Sequence, residues 1–248
     1  MVSLVAELPG VARNIADVAG IGFVGEASWS VLFEGSNPIR LLAGLWVSVR
    51  IALIAMAGGI VLGIPLGVAM TSRRAWVRMA LKAYVEAMRL LPQIVVLFIV
   101  FFSLSRDFNI NLSGETAAIV AFTLWGSAEM ADLVRGAITA VPRHQYESAQ
   151  ALGLGAVQVQ RYVVIPQAVR SLIPTTVNLT TRMIKTTSLV ALIGVVEVLK
   201  VGQQIIDANR FDYPGAALWV YGAIFILYFI VCFPIAWYSR RLERRWSE

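Results

Sequence analysis

The stretch AALWVYGAIFILYFIVCFPIAWY, residues 216–238, contains no charged side chain. About 20 apolar residues are enough to cross a hydrocarbon core as a helix. The stretch is therefore read as a membrane span, closed by Arg240 and Arg241 just beyond it. Four further apolar stretches lie upstream. Leu41 to Met70 is broken only by Arg50. Roughly Ala83 to Ser105 carries Glu86 and Arg89 in its first part. Roughly Thr116 to Ile138 carries Glu129, Asp132 and Arg135, and roughly Leu172 to Val196 carries Arg182 and Lys185.

Composition agrees with this reading. Of the 248 residues, 58% are hydrophobic and 15% charged, and the mean hydropathy is +0.73. Soluble proteins run near ~25% charged, because their surface must be solvated. Disorder needs low hydrophobicity, so it is excluded too. The single Cys232 excludes an internal disulfide framework, and the single His144 leaves no His-rich metal site. The net charge of +6 comes from short clusters between apolar stretches, not from a basic face with interleaved aromatics, so nucleic acid is not expected as a partner. The expected fold is an all-α membrane protein of about five transmembrane helices.

Five spans place the two termini on opposite sides. Lys and Arg concentrate on the cytoplasmic side of membrane proteins. With the C-terminus inside, Arg73, Arg74, Arg78, Lys82, Arg135, Arg143, Arg161, Arg170, Arg240, Arg241, Arg244 and Arg245 are cytoplasmic, twelve of 21. Outside are Arg13, Arg40, Arg106, Lys200 and Arg210, which is five, and the other four lie within spans. The expected topology is N-terminus outside, C-terminus cytoplasmic. Residues 1–40 lack a basic start and are broken by Arg13 and Asp17, which makes a poor signal peptide. They are read as an extension, with a short helix at the membrane surface. Trp29, Trp46, Trp219, Trp237 and Trp246 fall near span ends and suit an interfacial belt. Gly58, Gly59, Gly63 and Gly67 give the small-residue spacing that lets membrane helices approach closely.

The cytoplasmic loop from about 139 to 171 is the longest on its side. Pro142 suits a helix start, Glu147 lies close enough to complement the dipole there, and Gly153 and Gly155 suit a helix end. The expectation is a short surface helix from Arg143 to Leu152, with bends at Pro166 and Pro174 leading back to the bilayer.

This loop carries a resemblance. Glu147-Ser148-Ala149, three residues, Gly153, nine residues, then Val163, one residue and Ile165-Pro166 resembles the EAA signature of ABC importer permeases. Ser148, Val163 and Ile165 stand where that pattern has Ala, Ile and Leu. Further stretches are similar to the polar amino-acid subfamily: Pro166-Gln167-Ala168-Val169-Arg170, Pro174, Asn178, Lys185-Thr186-Thr187-Ser188-Leu189, Ile193-Gly194-Val195 with Glu197, and Arg135-Gly136-Ala137-Ile138. Arg89-Leu90-Leu91-Pro92 replaces an Arg-Gly-Thr-Pro, Glu129 stands where an aromatic residue is common, and Thr186 stands for an Asp. The resemblance covers roughly 41–248.

The resemblance implies a type I importer permease arrangement in a prokaryotic cytoplasmic (inner) membrane. It implies cytoplasmic ATPase subunits that bind ATP and Mg, a second permease (the same chain or a paralogue), an extracytoplasmic binding protein and an amino-acid substrate. This chain would itself be no enzyme, and it has no Gly-x4-Gly-Lys phosphate loop. Arg143, Glu147, Ser148, Ala149, Gly153 and Pro166 would form the coupling segment that docks on the ATPase.

Ionisable residues within spans are costly and usually face a cavity or a partner. Glu129 and Asp132 share one helix face, as do Arg182 and Lys185. Glu129 lies about 14 Å from the cytoplasmic end of its span and Arg182 about 15 Å into its own, at ~1.5 Å per residue. Two readings stay open here. One is a structural ion pair between spans. The other is a pocket in which a carboxylate holds an α-ammonium and a cation holds an α-carboxylate. Gln93, Thr187 and Ser188 could line the same path. The alternative function is a secondary transporter working through Glu129 and Asp132, which predicts internal repeats that the chain does not evidently show.

Overall fold

A computed structural model of the chain describes residues 28–104, 107, 109 and 111–247, without the side chains of 245–247. The described residues are almost all helical, with no strand among them. Among the described residues nine α-helices follow one another: α1 (Asn37–Ala69), α2 (Ala75–Leu90), α3 (Gln93–Phe98), α4 (Gly114–Thr139), α5 (Arg143–Ala151), α6 (Ala156–Val159), α7 (Ile165–Thr186), α8 (Val198–Ala208) and α9 (Ala216–Ser247). Among the described residues, helices α1, α4 and α9 are long and apolar enough to cross a membrane, and the count reaches five if each of two bent pairs is one span.

Two of the five expected stretches are bent. The stretch 83–105 breaks between α2 and α3, which turn by 101°. The cause is Pro92, whose ring disfavours helical geometry at the residue before it. Leu91 accordingly takes an extended conformation, φ −72° and ψ 134°. The stretch 172–196 is also not one helix. α7 starts earlier, at Ile165, and Pro166 sits in its first turn, where the missing N–H costs nothing. The chain then tightens to a 3-10 helix, Thr187–Ile193, and stops at Gly194, whose φ is +84°. α8 follows at an angle of 50°. The irregular turn before α7 is a π-helix, Gln160–Val164. Pro174 lies inside α7 and does not end it.

α1 and α4 form the centre. Ile51, Ala52, Ala55 and Met56 of α1 pack against Ala117, Ala118, Ala121, Phe122 and Trp125 of α4, with Leu179, Met183 and Ile184 of α7. The glycine spacing explains how close the two helices come. A Cβ on Gly67 would lie 2.6 Å from the Ala131 carbonyl oxygen, and one on Gly63 would lie 2.8 Å from that of Ser127. Ser113 caps α4 by accepting from the Thr116 amide at 3.2 Å. Arg50, near the middle of α1, is met by Glu115 at 2.5 Å.

A second cluster joins Leu41 of α1, Val198, Val201 and Ile205 of α8, and Val220 and Ile224 of α9. Val31, in the 3-10 turn Ser28–Phe33, is buried in it, so the last part of the 1–40 stretch packs on the helices. Residues 1–27 of the expected extension, Arg13 and Asp17 among them, lie outside the described residues, as does the side chain of Trp246.

Candidate functional site

Two places on the chain combine geometry with chemistry. The first is the loop after α4. Helix α5 runs from Arg143 to Ala151 with Pro142 just ahead of it. It ends in a Schellman motif: the Gly153 amide donates to Gln150 O at 2.9 Å and the Leu154 amide to Ala149 O at 3.1 Å. Gly153 supplies the left-handed conformation that this motif needs, φ +84°. Gly155 does not help end the helix. It caps the start of α6, its amide donating to Gln158 Oε1.

The loop has its own small core of Val141, Ala149, Val159 and Val164. Ala149 faces inward, which leaves Glu147 outside. Glu147 lies past the first turn and so does not serve the helix dipole as expected. Its partner is Arg143, 3.2 Å away and one turn back on the exposed face. Gln167 of α7 donates to Gln145 Oε1 at 2.5 Å and to Val163 O at 2.8 Å, tying α5 to the start of α7. Leu152 and Val157 stand out from this platform, 82% and 80% exposed.

The second place is a cleft of about 440 Å³ at the α2–α3 bend, lined by Arg89 to Ile94, Trp125, Glu129, Arg182 and Leu189. Glu129, only 13% exposed, receives a hydrogen bond from Arg182 and lies 3.4 Å from Arg89. The equal depths expected for Glu129 and Arg182 are realised as this contact between α4 and α7. The Arg182 guanidinium also lies over the Trp125 ring, 5.1 Å from its centroid. Such a cation-π contact adds about 0.5–2 kcal/mol depending on how far it is desolvated.

Arg89 reaches further. Its Nη1 donates to Asp132 Oδ2 at 2.6 Å, and Asp132 also accepts from Arg135 at 2.6 Å. Arg89 thereby forms a wall of two cavities. The other, about 420 Å³, is lined by Asp132, Arg135, Arg78, Lys82 and Glu86.

Of the residues singled out in the sequence, Gln93, Glu129 and Arg182 meet at the first cleft. Asp132 lines the second cavity. Thr187 is fully buried and donates to Ile184 O at 2.7 Å. Ser188 donates to Lys185 O, and Lys185 is exposed. Sequence reasoning left out Arg89 and Trp125 as site residues. Arg89 carried a signal, a charge within an apolar stretch two residues before Leu91-Pro92. Trp125 carried only its place one helical turn before Glu129. Among the described residues no cluster of three or more His, Cys, Asp or Glu is placed to hold a metal ion.

The sequence profile of the family described as "Binding-protein-dependent transport system inner membrane component" matches residues 59–248. The chain belongs to this family. Permeases with amino-acid names are among its relatives. It is 30% identical over 229 residues to the "Probable amino-acid ABC transporter permease protein YckA" of Bacillus subtilis, covering 91% of this chain and 99% of that protein. It is 32% identical to the "Glutamine transport system permease protein GlnP" of Escherichia coli K12, covering 88% of this chain and 96% of GlnP. Among solved structures, "Crystal structure of an amino acid ABC transporter with histidines" superposes with a TM-score of 0.77 at 26% identity, covering 85% of this chain and 95% of that one. The MetNI methionine transporter in an inward-facing form shares the fold, with a TM-score of 0.68 at 21% identity over 86% of this chain and 100% of that one. The α5 platform and the ion-paired cleft are thus features of a permease of the inner membrane.

Proposed function

We propose that this permease carries a polar amino acid through the cleft beside Glu129, driven by ATP hydrolysis in a separate subunit. The observation that carries the reading is the opposed charge in that cleft. One carboxylate and two guanidiniums meet there with a neutral amide, Gln93, on the same wall. A zwitterion needs this pairing: Glu129 for its α-ammonium, and Arg182 or Arg89 for its α-carboxylate. Arg182 now occupies the Glu129 oxygen and the Trp125 face, so the pair must open to admit substrate. Asp132, which already accepts from Arg89, would hold it as the pair opens. Lys185, Thr187 and Ser188 would join the path when the turn Thr187–Ile193 moves.

The likeness to amino-acid permeases supports the substrate class. The α5 platform supports the partner. Exposed Glu147, Leu152 and Val157 of this loop would dock on an ATPase that holds ATP and Mg, while the buried core around Ala149 makes the helix a rigid body. Arg143, Ser148 and Pro166 complete that segment. A second permease, of this chain or a paralogue, and an extracytoplasmic binding protein would complete the importer. The whole would alternate between outward and inward access as rigid elements shift.

The test is amino-acid uptake by proteoliposomes containing the permease with its co-purifying ATPase and binding protein. Glu129→Gln is expected to lower uptake about 10- to 100-fold, the equivalent of one charge-assisted hydrogen bond, with the ATPase still bound. Glu147→Arg is expected to release the ATPase from a folded permease. Wild-type permease that captures no ATPase in several mild detergents would overturn the reading.

A further inference from the structure

Helix α9 is the least covered of the long helices: in its most apolar window 17% is buried, against 61% for α4. Its exposed side is ordered in a particular way. Phe225, Phe229 and Phe233 recur every fourth residue and stack, at 6.4 Å and 5.0 Å between ring centroids and within 26° of parallel. Trp237 and Arg241 continue the same spacing, and the Arg241 guanidinium lies over the Trp237 ring at 5.2 Å. Residues four apart form an inclined ridge on a helix surface. The ridge is therefore aromatic along its length and cationic at its end.

At that end Trp237, Arg240, Arg241 and Arg244 line a cavity of about 270 Å³. They stand at i, i+3, i+4 and i+7, which is one face. The opposite face is fixed to the protein: Ser239 is fully buried and donates to Pro174 O of α7 at 2.9 Å. The cationic cavity thus faces away from the helix bundle. Neither Arg240 nor Arg241 is ion-paired among the described residues. Three guanidiniums gathered at the end of a span, with an amphipathic ring beside them, make a receptor for a phosphate at headgroup depth. From Phe229 to Trp237 the ridge rises about 12 Å at 1.5 Å per residue. That is close to the ~15 Å depth of one leaflet.

We propose that this end of α9 binds an anionic phospholipid, its phosphate held by Arg240 and Arg241 and one acyl chain lying along the Phe229–Phe233–Trp237 ridge. The charge at one end and the apolar length together select a lipid over a soluble anion, which would leave the ridge unused. The Lys and Arg distribution places the site in the cytoplasmic leaflet.

The experiment uses the full chain, purified with the subunits that accompany it, in nanodiscs of phosphatidylcholine containing a minor fraction of phosphatidylglycerol. Native mass spectrometry reads the lipids that stay bound. Wild type is expected to retain phosphatidylglycerol in preference to phosphatidylcholine. Arg240→Gln/Arg241→Gln is expected to weaken retention about 30-fold, from roughly a factor of five for each basic residue at an anionic surface. Equal retention by wild type and double variant would overturn the proposal. So would displacement of the lipid by millimolar inorganic phosphate, which would mark a site for a soluble anion. If the double variant does not fold, the wild type still decides. Brominated phosphatidylglycerol should quench tryptophan emission more than brominated phosphatidylcholine, and Trp237→Phe should remove the difference. No difference in the wild type would mean that something else covers the ridge, such as a second copy of the chain, and the proposal would fail.

Discussion

Glu197 is a fully buried carboxylate in an apolar setting, held by three donors: the Leu199 and Lys200 amides, both at 2.9 Å, and the Ser48 hydroxyl at 3.1 Å. It caps α8 and at the same time fastens α8 to α1. Losing a helix cap costs about 1 kcal/mol, and each buried donor left unpaired adds about 1–3 kcal/mol. Glu197→Ala is therefore expected to lower the melting temperature of the purified chain by at least 4–8 °C, since about 2 kcal/mol moves a chain of this size by that much. Glu197→Gln keeps an acceptor and should fall in between. Unchanged melting of the Ala variant would show that α8 is held by packing alone. The Glu129 cluster differs in kind. Its arginines are about half exposed along the cleft, unlike the fully buried Glu197. Such pairs are free to open, which suits a carrier.

Among the elements, the α1–α4 pair sets the spacing of the whole bundle. Its contact depends on glycines at four-residue intervals, because no side chain fits between Gly67 and the Ala131 carbonyl. Backbone cannot give way as the tip of a side chain can. Gly67→Leu should leave little monodisperse protein in gel filtration, whereas Gly136→Ala, with open space at its Cβ, should behave as wild type. Equal yields from the two would remove close packing as the reason for the glycine series. Helix α5 shows a different economy. It is too short to be stable alone, and it persists because its Schellman end, the Val141–Ala149–Val159–Val164 core and the Gln145–Gln167 link all act on nine residues.

At the scale of the molecule, the clusters of Lys and Arg make a prediction about orientation. A green fluorescent protein fused after residue 248 should fluoresce, and alkaline phosphatase fused there should be inactive, as expected for a cytoplasmic C-terminus. The opposite pair of results would invert the topology and move the α5 platform away from any cytoplasmic ATPase. How much could be read beforehand depended on the range of the forces involved. Apolar runs, the glycine series, the start and end of α5 and the equal depths of Glu129 and Arg182 follow from local composition and helical rise, which the sequence states directly. Those features by themselves determined a membrane-embedded helical chain with a short surface helix. Tertiary structure decided the rest. Leu91-Pro92 announces a break but not its 101° angle, which is set by the surfaces the two halves find to pack on. The place of Glu147 after Pro142 suggests a dipole partner, and only the folded loop shows that burial of Ala149 leaves it outside with Arg143. Arg89 joins two carboxylates because Tyr84, Val85 and Met88 pack α2 on α4. Pairings between helices depend on which faces meet, and charges far apart in sequence find one another only after the apolar packing has chosen those faces.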